Sequence, residues 1–81
     1  MSESLTITFA PGEGAIIRIV GLIERRGFDV HNLNVSESGE MSVALRPRDA
    51  GRRIDVLAQH VGKLVDVRTV SIERHPAGAA A

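Results

Sequence analysis

Two hydrophobic periods alternate along this chain, and the order in which they alternate leaves few folds open. In "SLTITFA" every second residue is apolar, with Leu5, Ile7 and Phe9 set against Ser4, Thr6 and Thr8. That is the pattern of a strand with one buried and one wet face. After the loop "PGEG" the period lengthens, and Ile16, Ile19, Val20 and Ile23 fall on one face of a helix. Arg25 and Arg26 sit in its last turn, where cations suit the helix dipole, and Gly27 can take the left-handed conformation that ends it. A second strand starts at Phe28, "SESGE" makes a turn around Gly39, and "MSVALR" is a third strand with Met41, Val43 and Leu45 on one side. "PRDA" breaks that strand and offers Asp49 as N-cap of a second helix, with Ile54, Leu57, Ala58 and Val61 inward and Gly62 at its end. "LVDVRTVSIE" is the last strand.

The order β-α-β-β-α-β predicts an α+β domain. Right-handed crossovers through two helices and a central hairpin are reconciled by one four-stranded antiparallel sheet in the order 4-1-3-2, with both helices on one face. This is the ferredoxin-like βαββαβ plait. Thr6, Thr8, Ser42 and Ala44 then line its open face. A single domain is expected over 1–75, and the small residues of 76–81 read as a flexible tail.

The second strand breaks its own rhythm. Phe28 and Val30 alternate, but Asn32 stands where the next apolar residue belongs, and the beat resumes one step late at Leu33 and Val35. A β-bulge near His31–Asn32 restores the apolar phase. In the order 4-1-3-2 this strand is an edge, and it has neither the proline nor the lysine that commonly blunts one. The expectation is a homodimer in which two copies pair about a twofold axis along Phe28, Asp29, His31, Asn32 and Asn34, joining their sheets. The last strand slips too, from Val65 and Val67 to Val70 and Ile72.

Composition narrows the function. A domain of 81 residues without cysteine buries only about 60% of its unfolded surface and has no disulfide to staple it, which favours oligomerisation. Ten basic and ten acidic residues balance to zero, which argues against the basic footprint of a nucleic-acid partner. With two phenylalanines and no Tyr or Trp, the stacking platform of an RNA-recognition sheet is missing. His31, His60 and His75 show no metal-ligand spacing. The first loop lacks the arginine that acylphosphatase-like chemistry needs, and no nucleophile–base set is visible, so no enzyme activity is expected. No apolar run suits a membrane and no signal pattern opens the chain, so the expected location is cytoplasmic.

The glycine loop suggests an effector site. Amides at a helix start have no intrahelical partner and favour negative charge, and glycines allow close approach. A free amino acid could place its carboxylate on Pro11, Gly12, Glu13, Gly14 and Ala15, with Asp29, Val30 and His31 of the neighbouring strand or of a second copy meeting its other groups. As a bare motif the loop is equally well a plain strand-to-helix turn, and Asp29 and His31 alone are more often solvated edge residues.

"GAIIRIVGLIERRGFDVHNLNV" followed by "VGKLVDVRTVSI" resembles the ACT domain of acetolactate synthase regulatory small subunits, over Leu5 to Glu73. "RRGF" before the second strand and "KLVDV" before the fourth are the most specific pieces, and the absence of a second domain fits the short, single-ACT type. The resemblance implies a non-catalytic subunit that binds and activates the large catalytic subunit in branched-chain amino-acid biosynthesis. Thiamine diphosphate, magnesium and FAD would belong to that partner and no cofactor to this chain. It also implies a branched-chain amino acid as the possible effector. Valine-sensitive members carry Asn at the positions of Pro11 and Asp29, and a small polar residue is usual at Ile17, so these departures speak against valine feedback. Ile17 and Leu22, off the main helical stripe, and the cluster Arg46, Arg48, Arg52 and Arg53 are candidate contacts with the large subunit. The rival reading is a free-standing ACT-domain amino-acid sensor that regulates another enzyme or a transcription factor.

Overall fold

The computed structural model describes residues 2–75. The expected tail, 76–81, lies outside the described residues. Six elements follow in the order β1 (Ser2–Phe9), α1 (Ala15–Arg25), β2 (Phe28–Val35), β3 (Glu40–Pro47), α2 (Ile54–Gly62) and β4 (Val67–His75). The strands form one sheet in the order β2-β3-β1-β4, every neighbouring pair antiparallel. This is the anticipated 4-1-3-2 order read from the other edge.

Alternation dictates the core. Leu5, Ile7 and Phe9 of β1 face the same side as Met41, Val43 and Leu45 of β3, and all six are buried. Both helices close over that side with Ile19, Ile23, Leu57 and Val61. Each of these fully buried aliphatic side chains contributes about 1.5–3 kcal/mol. Thr6 and Ser42 pair on the opposite, open face, as expected of a sheet wet on one side.

Four local readings change. The buried stripe of α1 is Ala15, Ile19, Leu22 and Ile23, so Leu22 belongs to the core and is no exposed partner contact. Ile16 turns out to be 38% exposed and Val20 half-buried instead. The N-cap of α2 is Arg53 and not Asp49. Asp49 organises the preceding turn, where its carboxylate accepts the Gly51 N–H at 3.3 Å. Gly62 is the last helical residue but stays right-handed, and the left-handed glycines among the described residues are Gly14, Gly27 and Gly39. Gly27 ends α1 as read from the sequence, its N–H bonded to the Glu24 carbonyl at 3.1 Å. Lastly, β4 begins at Val67, leaving Val65 94% exposed in the loop before it.

Both edge strands carry the slips seen in the sequence. On β2 the register shifts between Val30, opposite Leu45, and Asn32, opposite Ala44, so His31 is the extra residue. On β4 it shifts where Phe9 meets Val67 and Thr8 meets Thr69, so Arg68 is the extra residue. Each bulge returns the next apolar side chain to the helix side of the sheet. Leu33 then lies opposite Val43, Val35 opposite Met41, and Ile72 opposite Leu5.

Candidate functional site

Three connections converge at one end of the sheet: residues 10–14, 36–39 and 63–66. The Phe9 N–H donates to the Gly39 carbonyl at 2.8 Å and the Ala10 N–H to the Asp66 carbonyl at 2.7 Å. Those bonds tie the glycine loop to the hairpin turn on one side and to the loop before β4 on the other. Gly39 is required there. Its φ is 91°, and a Cβ would lie 2.4 Å from the Phe9 carbonyl oxygen and 3.3 Å from the Pro11 ring.

The loop leads into α1 through Gly14, whose φ of 77° makes it a left-handed N-cap without a side-chain hydrogen bond. The Ala15 N–H bonds back to the Gly12 carbonyl at 3.2 Å, and the Arg18 N–H to the Gly14 carbonyl at 3.0 Å. Among the described residues no protein acceptor meets the amides of Gly12, Glu13, Ile16 or Ile17. The first turn of α1 contains no acidic residue, so nothing in the helix itself answers the positive end of its dipole. Arg18 anchors the far side of the loop. Its Nε donates to Asp66 at 2.8 Å, and its Nη2 donates to the same carboxylate oxygen. Its Nη1 lies 3.1 Å from where a Gly14 Cβ would stand.

The candidate effector residues do not all meet. Pro11, Gly12 and Glu13 are exposed and Gly14 is half-buried, whereas Ala15 turns its side chain into the core. Asp29, Val30 and His31 stand at the opposite end of the sheet, because Asp29 pairs with Arg46 while the loop adjoins the start of β3. The neighbouring-strand arrangement within one chain is thereby ruled out. β2 begins at the far end of the sheet, with Phe28 opposite Pro47, and reaches the glycine-loop end only at Val35. Asp29 is moreover engaged by Arg48 Nε at 2.8 Å. Val30 packs against the core and His31 is exposed on the bulge.

Of the candidate dimer-edge residues, Asp29, His31, Asn32 and Asn34 are exposed, while Phe28 buries its ring and offers only backbone. Among the described residues the outer side of β2 has no neighbouring strand. Beside it, Leu33 is 37% and Val35 42% exposed although both point to the helix side. Arg18 directs one flank of α1 toward the loop before β4. Ile16 and Val20 lie on the other flank, and because α1 packs against β2 that flank faces the β2 side of the sheet. Together these four apolar side chains border the open strand.

The arginine cluster sits at the far end of the sheet, largely paired. Arg48 also donates from Nη1 to the Glu24 carbonyl at 3.1 Å. Arg52 approaches Asp49 at 3.4 Å. Arg53 holds Asp55 with two hydrogen bonds, of 3.2 and 2.8 Å. These bonds keep the Asp55 carboxyl below its ordinary range. Arg46 and Ile17 are exposed, as a docking role requires.

Local patterning marked Gly39 as a turn residue but did not reveal Arg18 or Asp66. These two are 48 positions apart, and only the fold brings them together. Among the described residues no group of His, Asp or Glu could hold a metal ion, and no helix is long and apolar enough to cross a membrane.

A family model described as the ACT domain matches residues 11–70. Among solved structures, the ACT domain from the GTP pyrophosphokinase of Chlorobium tepidum aligns with a TM-score of 0.71 and 14% identity, covering 90% of this chain and 97% of that one. At that identity the likeness speaks to fold alone. No curated protein matches the chain.

Proposed function

The chain belongs to the ACT domain family, a family of small-molecule regulatory domains, and from that premise we propose that it is a non-catalytic regulatory subunit that binds and activates the large subunit of acetolactate synthase. The sequence pieces "RRGF" and "KLVDV" point to that partner. The observation that carries a regulatory role is the unpaired β2 edge bordered by Ile16, Val20, Leu33 and Val35. An open strand beside an apolar border is a surface that a second copy can cover. In a twofold pairing along β2, the first half of one strand lies against the second half of the other. The other copy's Asp29 and His31 then approach the glycine loop, which they do not reach within one chain. Activation is an assembly effect: the dimer binds the active arrangement of the large subunit more tightly and shifts its population.

Co-expression of the two chains, followed by co-elution and an acetolactate assay, tests this reading. A faster rate with the full chain present is the expected result. Failure to co-elute together with an unchanged rate defeats it.

The open amides at the start of α1 favour a second reading, a free-standing amino-acid sensor serving another enzyme or a transcription factor. They are donors for a carboxylate, and Pro11 and Asp29 depart from the valine-sensitive pattern. Calorimetry against the branched-chain and other amino acids, with Gly14→Asp as control, separates the two. Binding abolished by Gly14→Asp, with no effect on acetolactate synthesis, favours the sensor.

A further inference from the structure

We propose that the cavity between the end of α1 and the start of α2 is a binding site for a small organic anion, a carboxylate or phosphate carried on a compact apolar body. The site is at the opposite end of the sheet from the glycine loop and does not depend on the regulatory role above. The cavity measures about 180 Å³, with Arg26, Arg52, Arg53 and His60 around it and Phe28 and Leu57 beneath. Phe28 is 2% and Leu57 1% exposed, so the floor is core surface. Drug-sized ligands occupy about 300–1,000 Å³, so this hollow suits a single ring or a branched chain with its headgroup.

Three guanidinium groups around one small hollow repel one another unless something answers them. Asp49 and Asp55 hold Arg52 and Arg53 from outside the cavity. Arg26 meets no carboxylate among the described residues. Three of the four carbonyls in the last turn of α1 already have donors of their own. Leu22 and Ile23 accept from the Arg26 N–H, and Glu24 accepts from the Gly27 N–H and Arg48 Nη1. Gly27 sets the arrangement. A Cβ there would lie 2.4 Å from Arg52 Nε, so the bare glycine backbone is what lets that guanidinium lie where it does. Planar guanidinium forks match carboxylate and phosphate oxygens. A bare inorganic anion would leave the apolar floor uncovered, and an uncharged apolar molecule would leave Arg26 unanswered.

The full chain is titrated with phenyl phosphate, benzoate, inorganic phosphate and benzyl alcohol while its backbone amides are followed by NMR. Phenyl phosphate, benzoate or both are expected to shift Gly51, Val56 and His60 saturably, and the tighter of the two identifies the headgroup. Inorganic phosphate is expected to bind more weakly, and benzyl alcohol to leave these amides unmoved. Arg26→Gln and Arg53→Gln, both at exposed positions, should each weaken binding about tenfold by removing a charged hydrogen bond. Arg68→Gln, on β4 at the other end of the sheet, should not. Retained amide dispersion shows that each variant is folded. The proposal is overturned if the shifts never saturate, if all three variants weaken binding equally, or if phenyl phosphate and benzoate bind no better than inorganic phosphate.

Discussion

Single residues decide whether the loop end of the sheet can close. Gly39 and Gly27 are both left-handed, but what surrounds them differs. A Cβ on Gly39 meets the Phe9 carbonyl at 2.4 Å, which is backbone and cannot move aside, whereas one on Gly27 meets the flexible Arg52 side chain. Gly39→Ala is therefore expected to cost about 2–3 kcal/mol. Gly27→Ala should cost about 1–2 kcal/mol, the left-handed penalty alone. Urea denaturation midpoints compare the two, and equal losses would refute the distinction. Asp55 is a second residue-scale test. Hydrogen bonding to Arg53 lowers its pKa in the folded chain, so its stabilising effect is present above the ordinary aspartate range. That effect is lost as pH falls through the lowered value. In Arg53→Gln the Asp55 titration, followed by NMR, should move up toward the ordinary value. At this scale the sequence was legible where chemistry is local. Left-handed glycine after Arg25 and Arg26 was foreseen; the Arg18–Asp66 pair was not, because no pattern within one element encodes a contact across 48 positions.

The bulges belong to the scale of elements. The bulge at His31 and the slip between Val67 and Val70 were readable because a strand's side chains alternate strictly, and one extra residue announces itself as a missed beat. Removing the extra residue tests that account. With His31 deleted, Val30, Leu33 and Val35 still face the helices and Asn32 and Asn34 the open side. The monomer should lose under about 1 kcal/mol, while any pairing that uses the bulged edge weakens about tenfold or more. Denaturation and sedimentation measure the two effects separately; a large loss of monomer stability would show that the bulge serves the core. The face of α1 was harder to read. Ile16, Ile19, Val20 and Ile23 form an acceptable helical stripe, yet the buried one is Ala15, Ile19, Leu22 and Ile23. A helix with seven apolar residues among eleven has more hydrophobic surface than one face can hide. Where it rotates is settled by neighbours, here by the sheet below and by Arg18 reaching Asp66. The apolar residues rotated off the core, Ile16 and Val20, end up beside Leu33 and Val35.

At the scale of the whole molecule the small core sets the terms. Folded domains keep only about 5–15 kcal/mol of net stability, and one of this size sits low in that range without a partner. If two copies join along β2, folding and association are linked. The melting temperature should then rise with protein concentration, and Leu33→Lys, which places a charge on the shared edge, should remove that rise while leaving a folded monomer. A melting temperature independent of concentration in the unmodified chain would defeat the dimer. Ile17 is separate from that edge, 77% exposed on the outward side of α1. Ile17→Glu should change stability by less than about 0.5 kcal/mol and, if this side meets the large subunit, lower its activation.

The alternation of periods determined the elements, their order and the antiparallel plait, because side-chain periodicity is a local property of the backbone and few topologies satisfy βαββαβ. It also located the bulge in β2, the slip in β4 and the turns at Gly27 and Gly39, for the same local reason. Tertiary structure alone decided which side of α1 is buried, that Asp29 lies at the far end of the sheet from the glycine loop, and that Arg26, Arg52 and Arg53 ring one cavity. Those outcomes depend on distances between residues remote in the chain, and such distances exist only once the sheet and helices have packed.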